Sequence, residues 1–225
     1  MQTDGVFVII PAYNEASVIG PVVASLWERH LTVLVVDDGS TDDTAAQARQ
    51  NGARVVRHAI NRGAGAATET GLEAARQLGA QMVVIMDGDG QHHVADVETL
   101  FAPLVEGSAD VVIGSRFRGT SHIPLLKRVY NHIANVMTFV LSGLWVSDSQ
   151  SGFRALGPKA LSCMTIETSG YEFASEMFSK IKLNHLNYVE VPISVSYSGY
   201  SKAKGQNFAN GVETVFRLLI RSLMR

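Results

Sequence analysis

The chain has 225 residues, a hydrophobic fraction of 46% and a formal net charge of −2 at pH 7. This composition supports a full hydrophobic core and excludes a disordered chain, while the near-neutral charge argues against a broad nucleic-acid-binding surface. Cys163 is the single cysteine, which excludes an internal disulfide framework and makes a reducing compartment the simpler expectation.

Short apolar runs alternate with helical patterns along the first half of the chain. Strands are predicted at 6–10, 31–36, 54–56, 81–86 and 110–114, with helices between them at 16–29, 42–50, 64–78 and 94–105. Strands that are apolar throughout and separated by helices are typical of a parallel sheet covered by helices on both faces. The sequence therefore predicts the α/β class, with a mainly parallel central sheet.

The second half is less regular and contains one segment that needs separate treatment. Residues 129–147 contain no Asp, Glu, Lys or Arg. They do contain a polar stripe at helical spacing, formed by Asn131, Asn135, Thr138 and Ser142. This stripe indicates an amphipathic helix rather than a membrane span. A further helix is predicted at 170–182 and a strand at 188–197.

The C-terminal segment is predicted to form an amphipathic helix with Arg217, Arg221 and Arg225 on one stripe. Such a helix can lie on an anionic membrane, or it can pack on the domain with its arginines in water. The sequence leaves both interpretations open.

Polar residues follow four of the predicted strands. They occur in PAYNE (11–15), DDGSTD (37–42), DGDGQHH (87–93) and GSRF (114–117). In open parallel sheets, ligands bind beyond the carboxyl ends of the strands. This edge of the sheet is therefore the candidate active site.

Asp87 and Asp89 follow the fourth strand one residue apart. Two carboxylates held side by side repel each other unless a cation lies between them, and carboxylates alone suit Mg²⁺ or Mn²⁺. Water or substrate phosphates would complete the coordination shell. A solvated turn explains the pair equally well. An EF-hand loop is excluded, because His92 stands where that loop needs glycine and a strand precedes it.

Asp37 and Asp38 follow the second strand, where they could accept hydrogen bonds from a ribose or a base. Helix capping by Ser40, Thr41 or Asp42 explains only the later part of this motif. The glycine pattern of dinucleotide-binding folds does not follow the first strand, and the chain contains no G-x-x-x-x-G-K-[ST] phosphate loop.

Seven motifs, in this order, resemble those of family 2 glycosyltransferases: PAYNE, DDGSTD, NRGAG, DGDGQH, GSRF, DSQSGFR and GYEFASEM. Within that family the chain is most similar to the dolichol-phosphate mannose synthase branch. The resemblance implies a GT-A fold, which is Rossmann-like, in a single domain over 1–225. A nucleotide-sugar-binding half at 1–118 would be followed by an acceptor half at 119–225 that includes the C-terminal amphipathic helix.

The resemblance also implies roles for individual residues. The nucleoside side of the donor would be held by Pro11, Tyr13, Glu15, Asp37 and Asp38. Asp87 and Asp89 would bind the metal, and Gln91 would lie beside the metal-bound diphosphate and the donor sugar. The catalytic residues would be Asp89, Gln91 and Asp148. Arg116 would contact phosphate, Asp148 would lie at the reaction centre, and Lys202 would belong to a late S-K loop. One departure concerns the run SYSGYSK (196–202), because it lacks the arginine that family members often have before this lysine.

The implied activity is an inverting, Mg²⁺- or Mn²⁺-dependent transfer of a sugar from GDP-mannose or a UDP-hexose to a polyprenyl phosphate. A sugar hydroxyl is the alternative acceptor, and it would require Asp148 as a base. A sugar-nucleotide pyrophosphorylase and a non-catalytic nucleotide-sugar-binding regulator are further alternatives. The expected location is cytoplasmic, with peripheral contact to the membrane or to a membrane partner.

Overall fold

The structure is a computed structural model that describes residues 5–119, 123 and 125–196. The predicted C-terminal helix and Lys202 lie outside the described residues. The strands are β1 (Val6–Ala12), β2 (Thr32–Asp37), β3 (Arg54–Arg57), β4 (Met82–Ile85), β5 (Val111–Ser115), β6 (Arg154–Leu156) and β7 (Tyr188–Pro192). The helices are α1 (Ile19–Trp27), α2 (Thr44–Gln50), α3 (Ala64–Gln77), α4 (Asp96–Val105), α5 (Leu125–Ser142), α6 (Pro158–Cys163) and α7 (Phe173–Leu183).

The described strands form one sheet in the order β3-β2-β1-β4-β6-β5-β7. All neighbouring pairs are parallel except those of β6, which runs antiparallel between β4 and β5. The predicted mainly parallel sheet is thus confirmed, but β6 was not predicted. Its three residues are too short to form a recognisable strand pattern, and Ala155 is fixed by pairing with Val84 and Val112.

Helices cover both faces of the sheet, and each face has its own hydrophobic cluster. On one face, Ile10, Val35 and Val84 pack with apolar residues of α1 and α4. On the other, Ile9 and Ile113 pack with residues of α3, α6 and α7. Successive strand residues therefore point to opposite buried layers, which explains why the central strands are apolar throughout.

Most predicted elements differ in their bounds from the observed ones by one to several residues, and two of these differences affect the candidate site. The first helix begins at Ile19 rather than at residue 16, because the backbone N–H of Ala16 donates to Asp42 and that of Glu15 donates to Thr44. The last predicted strand ends at Pro192, after which Val195 forms an isolated antiparallel bridge with His92. Both differences bring loops together at the carboxyl edge of the sheet.

Helix α5 is amphipathic, as predicted, but its polar stripe faces the protein. The side chains of Asn131, Asn135, Thr138 and Ser142 are all buried, whereas Ile133 and Val140 on the other side are 45% and 67% exposed. No helix in the described part of the chain is long and apolar enough to cross a membrane.

Candidate active site

The loops after β1 and β2 are joined by hydrogen bonds. The backbone N–H of Asn14 donates to Ser40 Oγ at 2.9 Å, and Asn14 Oδ1 accepts from the backbone N–H of Thr41 at 2.9 Å. Asn14 has a φ of 54°, a left-handed conformation that Asn tolerates better than most residues. This arrangement leaves the side chain of Tyr13 exposed at the edge, next to the half-buried Pro11.

The two acids at the end of β2, Asp37 and Asp38, are buried and hydrogen-bonded within the protein. Asp37 Oδ1 accepts from the backbone N–H of Ser40 at 2.9 Å, while Oδ2 lies 3.1 Å from Arg57 Nε. Asp38 contacts His58 Nδ1 at 2.6 Å and accepts the backbone N–H groups of Arg62 and Gly63. These contacts position the loop at 58–63, so the carboxylates are less open to a ligand than the sequence suggests.

Asp87 and Asp89 lie just beyond β4, and their neighbours differ. Asp87 Oδ2 is 3.2 Å from Nε2 of the buried His92, and 55% of the Asp87 side chain is exposed. Asp89 accepts hydrogen bonds from both the backbone N–H and the side-chain amide of Gln91. Gln91 is also fixed through its carbonyl oxygen, which accepts from the backbone N–H of Ser196.

The two carboxyl groups have shifted pKa values in opposite directions. Partial desolvation by the surrounding protein acts to raise the pKa of Asp87, but the hydrogen bond and charge of His92, with the charges of Arg116 and Arg154, outweigh it, so this pKa lies below its ordinary value. Burial raises the pKa of Asp89, and the charge of Asp87 raises it further. The two carboxylates therefore repel each other, and a bound cation would reduce this repulsion.

These residues fit a divalent cation whose remaining ligands come from the substrate and water. Within the described residues, no three histidine, cysteine or acidic side chains are grouped as a metal site, so these side chains alone would not enclose an ion. Two carboxylates that repel each other at a solvent-accessible edge match the way Mg²⁺ is bound together with phosphates.

Gly152 and Arg154 shape the space beside Asp87. A Cβ atom at position 152 would lie 2.4 Å from Asp87 Oδ1, so only glycine leaves room for this carboxylate. Arg154 is buried, donates to the carbonyl oxygens of Ser149, Ser151 and Ala174, and has its guanidinium over the Phe178 ring. Burial lowers the pKa of Arg154 to about 10, so the group remains charged at neutral pH.

Asp148 is fully buried and forms a two-point ion pair with Arg116. Arg116 Nε and Nη2 each donate to the carboxylate at 2.7 Å, and the backbone N–H of Arg116 donates to Oδ2 at 3.0 Å. Both oxygens of Asp148 are thus engaged by one residue. The side chain of Arg116 remains 25% exposed to solvent.

The structure therefore brings the ends of β4 and β5 together with the loop at 147–153. The acids after β2 lie at the same carboxyl edge, two strands from β4 in the sheet. A cleft of about 520 Å³ between α3 and residues 166–169 is lined by Arg62, Glu69 and Thr70, and none of the sequence-predicted site residues lines it.

Three residues of this edge were not identified as important from the sequence. From the sequence, His92 served only to exclude an EF-hand loop, but in the structure it is buried, contacts Asp87 and packs against the Phe153 ring with ring centroids 4.7 Å apart. Asn14 belongs to the motif PAYNE and Arg154 to the motif DSQSGFR. Membership in these motifs was the sequence feature that could have marked both residues as part of the site. Glu98, which fits the EF-hand spacing, pairs with Arg29 instead.

Comparisons with known proteins identify the family of this chain. The family model for glycosyl transferase family 2 matches residues 7–165. The UDP-N-acetylglucosamine–dolichyl-phosphate N-acetylglucosaminyltransferase of Methanococcus voltae is 37% identical, over 96% of this chain and 95% of that protein. The polyprenol monophosphomannose synthase of Mycolicibacterium smegmatis is 31% identical, over 97% and 88% of the two chains.

A solved structure shares the fold at lower identity. Glucosyl-3-phosphoglycerate synthase from Mycobacterium tuberculosis, crystallised with Mn²⁺, UDP-glucose and phosphoglyceric acid, superposes with a TM-score of 0.68 at 23% identity. The match covers 96% of this chain and 79% of that one. The fold is therefore GT-A, and the family match together with the two relatives shows that the chain is an enzyme of glycosyl transferase family 2.

Proposed function

We propose that the enzyme transfers a sugar, with inversion, from GDP-mannose or a UDP-hexose to a polyprenyl phosphate. Both relatives named above support this acceptor, since one is named for dolichyl phosphate and the other for polyprenol monophosphomannose. The enzyme would work at the cytoplasmic face of a membrane, where such lipids are embedded.

The observation that favours this acceptor is the complete pairing of Asp148 with Arg116. A sugar hydroxyl needs a base to remove its proton, and a fully buried carboxylate engaged at both oxygens is poorly placed for that task. A phosphate monoester is already ionised at neutral pH, because its second pKa is about 6. It therefore needs orientation rather than deprotonation.

In the proposed reaction, a phosphate oxygen of the acceptor forms a bond to the anomeric carbon. The bond between that carbon and the donor diphosphate breaks on the opposite face, and the nucleoside diphosphate leaves with the electron pair. Arg116, held in place by Asp148, would contact phosphate, while Gln91 would lie beside the donor sugar. Lys202 would provide a second positive charge from the C-terminal part of the chain.

The remaining residues would hold the donor. Pro11 and Tyr13 would contact the nucleoside, with Glu15 and Asp37 supporting their loops and Asp38 fixing the loop at 58–63. Mg²⁺ or Mn²⁺ held by Asp87 and Asp89 would supply charge neutralisation for the departing diphosphate. His92, whose Nε2 lies 3.2 Å from Asp87 Oδ2, would keep this carboxylate oriented toward that position.

The test is to incubate the purified protein with a panel of nucleotide sugars, Mg²⁺ or Mn²⁺, and either a polyprenyl phosphate or a sugar bearing free hydroxyls. We expect lipid-linked sugar from one donor and no product with the hydroxyl acceptor. Product only with the hydroxyl acceptor would contradict the proposal.

A further inference from the structure

Strand β7 contains one acidic residue, Glu190, to which neither the sequence motifs nor the proposed reaction assigns a role. Its neighbours Val189 and Val191 are apolar, and only 5% of the Glu190 side chain is exposed. Oε2 of Glu190 lies 3.0 Å from Nη2 of Arg118, whose side chain is 54% exposed. Burying a carboxylate is costly unless its oxygens accept hydrogen bonds. The partners of the other oxygen therefore bear on the role of Glu190.

The other oxygen of Glu190 holds the residue that precedes Asp148. Glu190 Oε1 accepts from the backbone N–H of Ser147 at 2.8 Å and from its hydroxyl at 2.7 Å. The carbonyl oxygen of Ser147 accepts from the side-chain amides of Asn131 and Asn135 in α5. Both backbone polar groups and the side chain of Ser147 are thus engaged, so its position is determined by β7 and α5 together.

A further hydrogen bond extends this network to the end of β5. Ser115 Oγ lies 2.6 Å from Ser147 Oγ, and it accepts from the backbone N–H of Phe117 at 3.2 Å. Ser147 donates its single hydroxyl proton to the Glu190 carboxylate, which can only accept, so Ser115 must donate to Ser147. From donor to acceptor, the hydrogen-bonded chain therefore consists of Phe117, Ser115, Ser147 and Glu190.

This chain flanks both members of the ion pair in the candidate active site. Arg116 lies between the first two residues of the chain, and Asp148 follows Ser147. The two backbone segments must keep their relative position, because the backbone N–H of Arg116 also donates to Asp148. Glu190, at the end of the chain, is thus connected to both segments through Ser147.

We propose that Glu190 is a positioning residue for the Arg116–Asp148 pair. It acts by accepting the two hydrogen bonds from Ser147. Its ion pair with Arg118 contributes less, because more than half of the Arg118 side chain is exposed and solvent screens its charge. The positioning is inferred from the hydrogen bonds alone, whereas its importance for sugar transfer rests on the proposed function.

The test compares Glu190→Leu with Glu190→Gln in the full chain. Leucine fills a similar volume but leaves both donors of Ser147 without their acceptor. Glutamine keeps an oxygen that can accept from Ser147, and it loses only the charge that pairs with Arg118. Arg118→Met removes the same ion pair from the other side. The two contributions of Glu190 are thereby separated.

Glu176→Leu is the matched control for the loss of a carboxylate acceptor elsewhere. Glu176 in α7 accepts from the backbone N–H groups of Glu167 and Thr168 and from the Thr168 hydroxyl. Circular dichroism and thermal unfolding establish that all variants are folded. Should Glu190→Leu unfold, Ser115→Ala replaces it, because this change interrupts the chain at β5 and leaves Glu190 with its partners.

Amide hydrogen exchange measures the positioning without any substrate. We expect Glu190→Leu to raise the exchange rates at 115–117 and 147–149 by about tenfold or more, since hydrogen bonds that hold these segments are lost. Glu190→Gln, Arg118→Met and Glu176→Leu should leave these rates near those of the wild type. Unchanged exchange in Glu190→Leu overturns the proposal, and so does an equal increase in Arg118→Met.

Transfer kinetics with a polyprenyl phosphate show whether the positioning matters for the reaction. Glu190→Leu should lower kcat by about tenfold or more, because a misplacement of about 1 Å can cost about 10²-fold in rate. The KM for the donor should stay near that of the wild type, since the proposed nucleoside contacts come from the loops after β1 and β2. Glu190→Gln should retain most of the wild-type kcat.

Three kinetic results would overturn the proposal: an unchanged kcat in Glu190→Leu, an equal loss in Glu190→Gln, or an equal loss in the control Glu176→Leu. If the wild type transfers sugar to no acceptor, the proposed function fails instead. The exchange rates still decide in that case whether Glu190 positions the two segments.

Discussion

At the level of single residues, the carboxylate of Asp87 can occupy its position only because residue 152 is glycine, which has no side chain. Gly152 comes from a loop 65 positions further along the chain, and a Cβ atom there would lie 2.4 and 2.5 Å from the two oxygens of Asp87. His92 contacts the same carboxylate at 3.2 Å. The position of Asp87 is therefore determined by its neighbours as much as by β4.

Replacing Gly152 with alanine should reduce activity far more than stability. The added methyl group would displace the Asp87 carboxylate, and a shift of about 1 Å at a reacting centre can lower the rate by about 10²-fold. Gly157→Ala is the matched control, since its Cβ atom would have ordinary contacts at 3.4 Å or more. Steady-state kinetics and thermal unfolding of both variants check this expectation, and equal kinetics for the two would contradict it.

Replacing Asp89 with alanine should abolish both turnover and Mn²⁺ binding while the fold survives. Asp89 is half-buried beyond β4, outside both hydrophobic clusters, so its loss removes a charge without opening a cavity. Isothermal titration with Mn²⁺ in the presence of a nucleoside diphosphate measures the binding directly. The control is Asp96→Ala, whose carboxylate accepts from the backbone N–H of Ser194. Full activity of Asp89→Ala in a chelator would refute the metal role.

At the level of elements, the loop at 147–153 is held between two helices. Asn131 and Asn135 of α5 bind it from one side, while Arg154 binds the carbonyl oxygens of Ser149 and Ser151 and that of Ala174 in α7. This loop supplies Asp148 and Gly152, so its rigidity determines the shape of the site.

Arg154→Met should destabilise the fold by about 3–5 kcal/mol, because it removes the partner of several buried polar groups. Lys159→Met provides the control, since the Lys159 side chain is 57% exposed and its ion pair with Asp110 should contribute less than about 1 kcal/mol. Urea unfolding followed by fluorescence measures both free energies of unfolding. A cost for Arg154→Met no larger than that of the control would show that the loop is held by other contacts.

The elements of the first half were predictable because their signals are local. Each apolar run and each helical pattern lies within one segment, and the alternation of strands and helices is confirmed. The strand β6 depends on two distant partners, and the orientation of α5 depends on the backbone near residue 147. A helical pattern specifies a stripe, but it does not specify which side meets the protein.

The residues of the candidate site were predictable only as motifs. The pair Asp87 and Asp89 is visible in the sequence because both residues follow one strand. The pairing of Arg116 with Asp148 spans 32 positions and joins β5 to a loop, so no local pattern reveals it. The same holds for Asp38 and His58, which are 20 positions apart.

At the level of the whole molecule, the sheet order joins the two halves of the chain in one site. The strand β6 lies between β4 and β5, so the loop that precedes it meets the ends of both neighbours. Asp87 from the first half thus lies beside Gly152 from the second, and Arg116 beside Asp148. The acceptor is expected to bind where these two pairs converge.

The class of acceptor can be decided by Asp148→Asn, which keeps the size of the side chain and removes its charge. If Asp148 only positions Arg116, the loss of activity should be smaller than the 10²–10⁴-fold (roughly) that a missing base costs, and raising the pH should not restore it. In that case the double variant Asp148→Asn/Arg116→Gln should be no less active than Arg116→Gln alone, because both changes remove the same interaction.

The rates are measured with saturating donor and metal from about pH 6 to about pH 9, the range in which a hydroxyl acceptor becomes easier to deprotonate. A large defect that high pH rescues, with additive losses in the double variant, would mean that a proton is removed during transfer. The acceptor would then be a hydroxyl group rather than a lipid phosphate.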